Sequence, residues 1–414
     1  MSKTSVNHES VGVLESRLEA LRQHSLNLDL TRGKPSPEQL ALSDSLDGIL
    51  DGDYRLENGT DARNYGGLRG IPEARRLGAQ LLETDPENII VCGNSSLQAM
   101  QLVMDTAMNY GLFHERYSEL GSTRAVVPVP GYDRHFTLTE SFGIEMISVP
   151  MTATGPDMDA LEEVIGSDTQ CRFLWCVPKY SNPTGCVYDP DTVNRIAALP
   201  SKAPGPLLIL WDNAYATHDL DFPKKELAPI LTFARDHRTE DSVIMFASTS
   251  KITFAGGGIA FIGGSQNTLQ AIESRLEVMT IGPDKVNQLR HAKFLNGRLE
   301  DHMAAHARIL KPKFDAVERC LQQHLGNRDL ATWTRPEGGY FVALSTPPGF
   351  AKRVVAMAAT AGLALTPAGA TFPHGHDPED SVIRIAPTFA STSEIETAIE
   401  VLAVCLELSI RTGF

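Results

Sequence analysis

Lys251 closes the run Ser248-Thr249-Ser250-Lys251, directly after Val243-Ile244-Met245-Phe246-Ala247. The apolar, β-branched lead-in reads as a short buried strand. A lysine at the end of such a strand sits where the backbone turns and water is partly excluded. Burial disfavours its ammonium and lowers its pKa, so a neutral amine becomes available. Such an amine can form an imine with a carbonyl compound. Taken alone, the stretch is equally compatible with a surface lysine in a Ser/Thr loop.

Other polar residues also follow apolar runs. Asp212 ends Leu207-Leu208-Ile209-Leu210-Trp211. A buried carboxylate needs a partner, and a protonated pyridine nitrogen would be one, keeping its ring cationic and able to store electrons. Tyr215, three residues on, could donate to a phenolic oxygen of that ring. Gly93-Asn94-Ser95-Ser96 lies between a strand and a helix, where free amides and two hydroxyls suit a phosphate, although plain N-capping explains the same residues. In Pro130-Gly131-Tyr132-Asp133-Arg134-His135, Tyr132 could lie against a planar ring and His135 could hydrogen-bond to whatever anchors that ring. The bland alternative is a turn with an exposed aromatic. Asn182, in Ser181-Asn182-Pro183-Thr184-Gly185, could donate to a ligand oxygen, although Asn-Pro is also an ordinary turn initiator. Arg384, inside Ile383-Arg384-Ile385-Ala386, could hold a carboxylate through two parallel hydrogen bonds or form a structural salt bridge.

These residues need a scaffold. Strands are predicted at Ile89 to Cys92, Ala125 to Val129, Ile144 to Val149, Phe173 to Val177, Leu207 to Trp211, Val243 to Ala247 and Ile259 to Gly263. Most are continuous apolar runs, as in strands covered on both faces, and helical patterns such as Leu97, Met100, Met104 and Ala107 lie between them. The fold class is α/β with a mainly parallel sheet, and ligands then bind at the carboxyl ends of the strands. Residues 266 to 325 read as helical with a break at Gly282-Pro283, and 330 to 414 as α+β. The expected division is an N-terminal segment 1–55 joining a small domain, a large domain 56–290, and a small domain 291–414.

The chain has 414 residues, 42% hydrophobic and 21% charged, with net charge −14. The acidity makes a nucleic-acid partner no default expectation. No run of about 18 apolar residues suggests a membrane span, and Met1 to Ser10 is too polar for a signal peptide. Cys92, Cys171, Cys176, Cys186, Cys320 and Cys405 form no C-x-x-C pair and read as small core residues. No metal site is expected, and a reducing cytoplasm fits.

In order and spacing, the glycine-serine loop, Pro-x-aromatic, Asn-Pro-x-Gly, Asp-x-Ala-Tyr, Ser-x-Ser-Lys and the late arginine resemble the fold type I pyridoxal-phosphate enzymes. Within these, the chain resembles the class I/II aminotransferases from about Leu28 to its end. Gly33, Tyr65 and Pro336-Glu337-Gly338-Gly339-Tyr340-Phe341 also match. The resemblance implies a seven-stranded type of sheet with helices on both faces, a smaller α+β domain, and a homodimer with shared active sites. It implies that Lys251 holds pyridoxal 5′-phosphate as an aldimine and later moves a proton. Asp212 would bind the pyridine nitrogen with His135 behind it, Asn182 and Tyr215 the ring oxygen, and Tyr132 would stack on the ring. Asn94, Ser95, Ser96, Ser248 and Ser250 would form the phosphate site, joined by Tyr65 from the neighbouring subunit. Arg384 would hold the substrate α-carboxylate, with Gly33 and Asn182 assisting.

One departure stands out. The family usually carries an arginine eight residues after the lysine, and here that residue is Ile259. Lys285 is the expected substitute, supplying charge from the partner subunit; it or Arg32 could instead bind a substrate side-chain carboxylate. The departure and the stretch Ile281 to Arg290 resemble the divergent aspartate aminotransferase subgroup Ic, often labelled "MocR-family". With only about 25 residues before the shared region, no DNA-binding domain is expected. The implied activity is amino transfer between an amino acid, aspartate favoured, and a 2-oxo acid, 2-oxoglutarate favoured. A β-decarboxylase, a C–S lyase or a non-catalytic cofactor sensor could share every motif. The Ser-x-x-Lys motif also occurs in penicillin-binding serine acylases, but their Ser-Asp-Asn and Lys-Thr-Gly companions are absent.

Overall fold

The computed structural model describes residues 10–113 and 115–413. The polar opening stretch, apart from Ser10, lies outside the described residues. In chain order the strands are β1 (Leu28–Leu30), β2 (Ile89–Val91), β3 (Arg124–Val129), β4 (Glu145–Thr152), β5 (Gly155–Pro156), β6 (Cys171–Cys176), β7 (Leu208–Asp212), β8 (Val243–Ser248), β9 (Ala260–Gly263), β10 (Thr332–Trp333), β11 (Val342–Ser345), β12 (Leu363–Leu365) and β13 (Val382–Ile385).

The central sheet has the order β2-β9-β8-β7-β6-β3-β4-β5. Pairs β3–β4, β3–β6, β6–β7 and β7–β8 are parallel, whereas β9 runs antiparallel to both β8 and β2. The chain is thus α/β, as expected. The expected seven strands are all present, and the sheet gains an eighth, the two-residue β5, which pairs antiparallel with the end of β4. So short a strand carries no periodic signal of its own.

The apolar runs alternate between two cores. Along β7, Leu208 and Leu210 enter one cluster while Ile209 and Trp211 enter the other; along β8, Ile244 and Phe246 oppose Val243, Met245 and Ala247. Helices cover both faces, so β7 and β8 are apolar up to their last residue and show no polar alternation. Leu46, Leu50 and Leu56 join one of these clusters. A third cluster gathers Leu14, Leu18, Leu28 and Leu30 with Phe314, Leu344, Ile385 and Leu402. It surrounds the antiparallel sheet β10-β11-β13 and the parallel pair β1-β12.

This topology settles where the motifs meet. Strands β3, β6, β7 and β8 are parallel neighbours, and β2, reversed twice through β9, points the same way. Their carboxyl ends therefore share one edge of the sheet. No helix among the described residues is long and apolar enough to cross a membrane.

Candidate functional site

Asp212 is the last residue of β7 and falls on the face of Leu208 and Leu210. It is buried, as is His135, whose Nε2 lies 3.0 Å from Asp212 Oδ2. The helix Asp133–Ser141 brings His135 there, and its ring stacks on Trp175 at 4.0 Å between centroids. Asp212 Oδ1, equally buried, has no hydrogen-bond partner. A native fold rarely leaves a buried carboxylate oxygen unpaired, so this atom marks a place for an external donor.

Lys251 ends the single helical turn Thr249–Lys251 after β8, capped by Ser248 Oγ, which accepts from the Ser250 amide. Its ammonium is held below the ordinary lysine range because burial outweighs the attraction of Asp212. Lys251 Nζ lies 5.0 Å from the Tyr215 ring centroid. The Tyr215 hydroxyl is pushed well above the usual phenol range, first by burial and then by Tyr132 and Asp212. Tyr132, pushed up to about 12 mainly by burial, packs edge-on against His135 at 5.0 Å.

A cavity of about 320 Å³ opens over these groups, lined by Lys251, Tyr132, Tyr215, Arg384, Arg32 and Gly33 among others. Arg384 stands in β13, opposite Ala343 of β11. Its Nη1 donates to Asp133 Oδ1 at 3.0 Å and to Asn182 Oδ1 at 3.2 Å, and its Nε donates to Thr366 Oγ1 at 3.3 Å. Gly33 borders the same cavity for a steric reason: a Cβ there would lie 2.6 Å from Phe341 Cζ. Arg32 and Arg134 also line the cavity, and among the described residues neither guanidinium has a hydrogen bond or close ion pair. Arg134, Asp133 and Thr366 were not assigned from sequence. Asp133 and Arg134 lay inside a recognised motif, but first-turn helix positions commonly carry charge and gave no separate signal.

The hydroxyl cluster forms beside Lys251. Ser250 Oγ and Ser248 Oγ donate to the Asn94 carbonyl at 2.9 and 3.3 Å, and Asn94 Nδ2 donates to Gly256 O at 3.2 Å. Ser95 caps the helix Ser96–Asp105, accepting from the Gln98 amide. Around Gly93 and Gly256 a Cβ would meet nothing within 4 Å, so the backbone there faces open space. Asn287, also missed, braces the glycine loop by donating to Gly257 O and Gly258 O at 3.0 and 3.1 Å. Ile259 is buried in the core and its backbone pairs with Thr249, so the expected arginine position carries no charge.

Tyr65 and Lys285 meet at a different corner. Lys285 is buried and its Nζ donates to the Tyr65 carbonyl of the same chain at 3.0 Å. Tyr65 is 81% exposed.

The aspartate amino-transferase family profile matches residues 1–412. The chain belongs to this family. An aspartate aminotransferase of Corynebacterium glutamicum is 40% identical over 407 residues, covering 97% of this chain and 93% of that protein. A crystal structure of an aspartate transaminase from C. glutamicum superposes with TM-score 0.93 and 40% identity, covering 96% of this chain and 95% of the other. The fold extends to an α-aminoadipate aminotransferase from Thermus thermophilus, solved with N-(5′-phosphopyridoxyl)-L-leucine, at TM-score 0.76 and 22% identity over 95% of this chain and 96% of that one. The chain is therefore an aminotransferase, and aminotransferases of this fold use pyridoxal phosphate.

Proposed function

We propose that this aminotransferase moves the amino group of aspartate to 2-oxoglutarate in a ping-pong reaction, with pyridoxal 5′-phosphate held by Lys251. One observation carries the reading: the buried Asp212 carboxylate keeps Oδ1 unpaired while a desolvated Lys251 shares its sheet edge. Pyridoxal phosphate, when bound, supplies a carbonyl carbon for the amine and a cationic ring that stores the electrons left by the substrate's α-proton.

The chain's own residues do the rest. Asp212 Oδ1 accepts from a ring N–H, and His135 holds Asp212 in place through Oδ2. Tyr215 and Asn182 donate to the ring's phenolic oxygen, and Tyr132 covers the ring. Asn94, Ser95, Ser96, Ser248 and Ser250 surround the phosphate with hydroxyls and amides at the helix start. Lys251 Nζ, whose ammonium burial disfavours, takes the α-proton and returns it. Arg384 binds the α-carboxylate, displacing Asp133, with Gly33 leaving room and Asn182 steadying the guanidinium. Arg32 and Arg134, free on the cavity wall, attract the distal carboxylate of a dicarboxylic substrate.

The working unit is a homodimer in the cytoplasm. Tyr65, Val278, Met279 and Ile281 form an exposed apolar patch, and the Gly66 amide donates to Ile281 O at 3.1 Å to join its two loops. Such patches mark interfaces. From it, Tyr65 and Lys285 serve the partner's phosphate site. Unchanged cofactor affinity in Lys285→Ala would remove Lys285 from that role. All six cysteines are free, which suits a reducing compartment.

The deciding experiment mixes the cofactor-loaded protein with aspartate and follows conversion of the cofactor to its amine form. Reversal by 2-oxoglutarate supports the proposal. Release of pyruvate or CO₂ without that conversion assigns a lyase or decarboxylase instead.

A further inference from the structure

Around the backbone of Lys251 lies a cluster that the proposed reaction does not use, with His218, His306 and Tyr340 buried and His302 half-buried. His218 Nε2 lies 3.2 Å from the Lys251 carbonyl oxygen, and the Tyr340 hydroxyl donates to the same oxygen at 3.4 Å. The next carbonyl, of Ile252, faces His302 Nε2 at 2.7 Å and His306 Nε2 at 2.9 Å. The donors come from separate places: the loop after β7, the glycine-rich segment before β11, and the long helix Leu299–Leu325.

The need for them is local. The turn Thr249–Lys251 is too short to satisfy its own last carbonyls. The amides of Ile252 and Thr253 both donate to Thr249 O, and among the described residues no backbone amide donates to Lys251 O or Ile252 O. Buried carbonyls without donors are costly.

The hydrogen-bond pattern assigns the tautomers. Gln39 Oε1 accepts from the Ser36 amide at 3.0 Å, so Gln39 Nε2 must face His306 Nδ1 at 3.1 Å and the Tyr340 oxygen at 3.0 Å. His306 Nδ1 is then an acceptor and its Nε2 carries the hydrogen, aimed at Ile252 O. Tyr340, accepting from Gln39, has its own hydrogen free for Lys251 O. A proton added at His306 Nδ1 would oppose the Gln39 amide. Burial holds His306 down to about 4 and His218 to about 3, and lowers His302 too. Positive charge on the neighbouring His306, Lys251 or Lys179 would press His218 the same way.

We infer that His218, His302, His306 and Tyr340 are positioning residues that clamp the Lys251 and Ile252 carbonyls and so fix where the Lys251 amine stands. The clamp also ties the amine to the carboxylate site. Tyr340 leads into Phe341, whose ring lies 4.9 Å from the Arg384 guanidinium. The inference rests on the reading of Lys251 as the reacting amine.

The test compares full-length, cofactor-loaded His306→Leu and His306→Gln, the second retaining an N–H near the Nε2 position. His306→Leu is expected to lower kcat about tenfold or more, with KM for the amino donor moving less than about twofold. It should also shift the pH midpoint of the visible absorbance of the lysine-bound cofactor and speed amide exchange across residues 249–258 in protein without added cofactor. His306→Gln should restore each toward the parent. If His306→Leu does not fold, Tyr340→Phe, which removes one hydroxyl and keeps the ring, should show the same changes more weakly. The clamp is overturned if kcat, midpoint and exchange match the parent, or if both His306 variants lose only thermal stability. Lys251→Ala is the separate control: a lysine-type chromophore persisting in that variant overturns the reading of Lys251 itself, whereas exchange across 249–258 reports on the clamp alone.

Discussion

Asp212 and Asp219 lie on the same stretch of chain and are equally buried, yet their surroundings differ. Asp219 is fully occupied. Its Oδ1 accepts from the Tyr180 hydroxyl at 2.7 Å and the Lys225 amide at 2.9 Å, and Oδ2 accepts from Lys179 Nζ at 3.2 Å. Lys179 also donates to Ala216 O at 2.9 Å. Asp212 has His135 on one oxygen and nothing on the other. A closed carboxylate holds the fold together. A half-open one keeps a charge buried where only a ligand can finish satisfying it, and that incomplete pairing is a sign of function.

The comparison predicts opposite phenotypes. Asp212→Asn keeps an acceptor for His135 but loses the charge. Turnover should fall on the order of 10³-fold, about 4 kcal/mol in the barrier, while the urea midpoint hardly moves because a buried charge has been removed. A variant that unfolds instead would make Asp212 a second Asp219. Asp219→Ala leaves the Lys179 ammonium buried and unpaired, which should cost about 3–5 kcal/mol of stability. Denaturant unfolding measures it, and undiminished stability would show that Lys179 finds another partner.

Tyr180→Phe removes one of the donors to Asp219 and should cost about 1.5–3 kcal/mol, with turnover per folded molecule unchanged. A selective loss of turnover would extend the site to Asp219 and erase the distinction. The smallest effect concerns pH. His218 and His306 are neutral in the fold, titrating near 3 and 4, against 6.5 when unfolded. Between these values the unfolded chain binds more protons. Their contribution is therefore full above about 6.5 and is lost as pH falls toward the folded values. From pH 7 to pH 6 the loss is about 0.7 kcal/mol for each histidine. Urea midpoints across that range check it, and a rise in stability on acidification would contradict it.

Much of the site was legible because each chemical residue follows an apolar run. Asp212, Lys251, Tyr132 and Asn182 all come after segments whose unbroken apolarity announced strands covered on both faces. Parallel pairing then leaves little freedom, since the ends of parallel neighbours share one edge. His302 and His306 carried no assignment from the sequence, because nothing near them in the chain names Ile252 as their target. Asp133 looked like an ordinary first-turn acid until the fold set it against Arg384.

The sequence by itself determined the strand-turn-helix grammar, the residue types at each strand end, and the loss of the arginine at position 259. These rest on local preferences and on a burial pattern with a short period. The tertiary structure alone decided which oxygen of Asp212 stays open, which carboxylate Arg384 holds, and which carbonyls the histidines clamp. Those outcomes depend on contacts between residues far apart in the chain, Arg384 and Asp133 being 251 positions apart. A hydrophobic pattern says which face of an element is buried, but not which side chain waits on the other side.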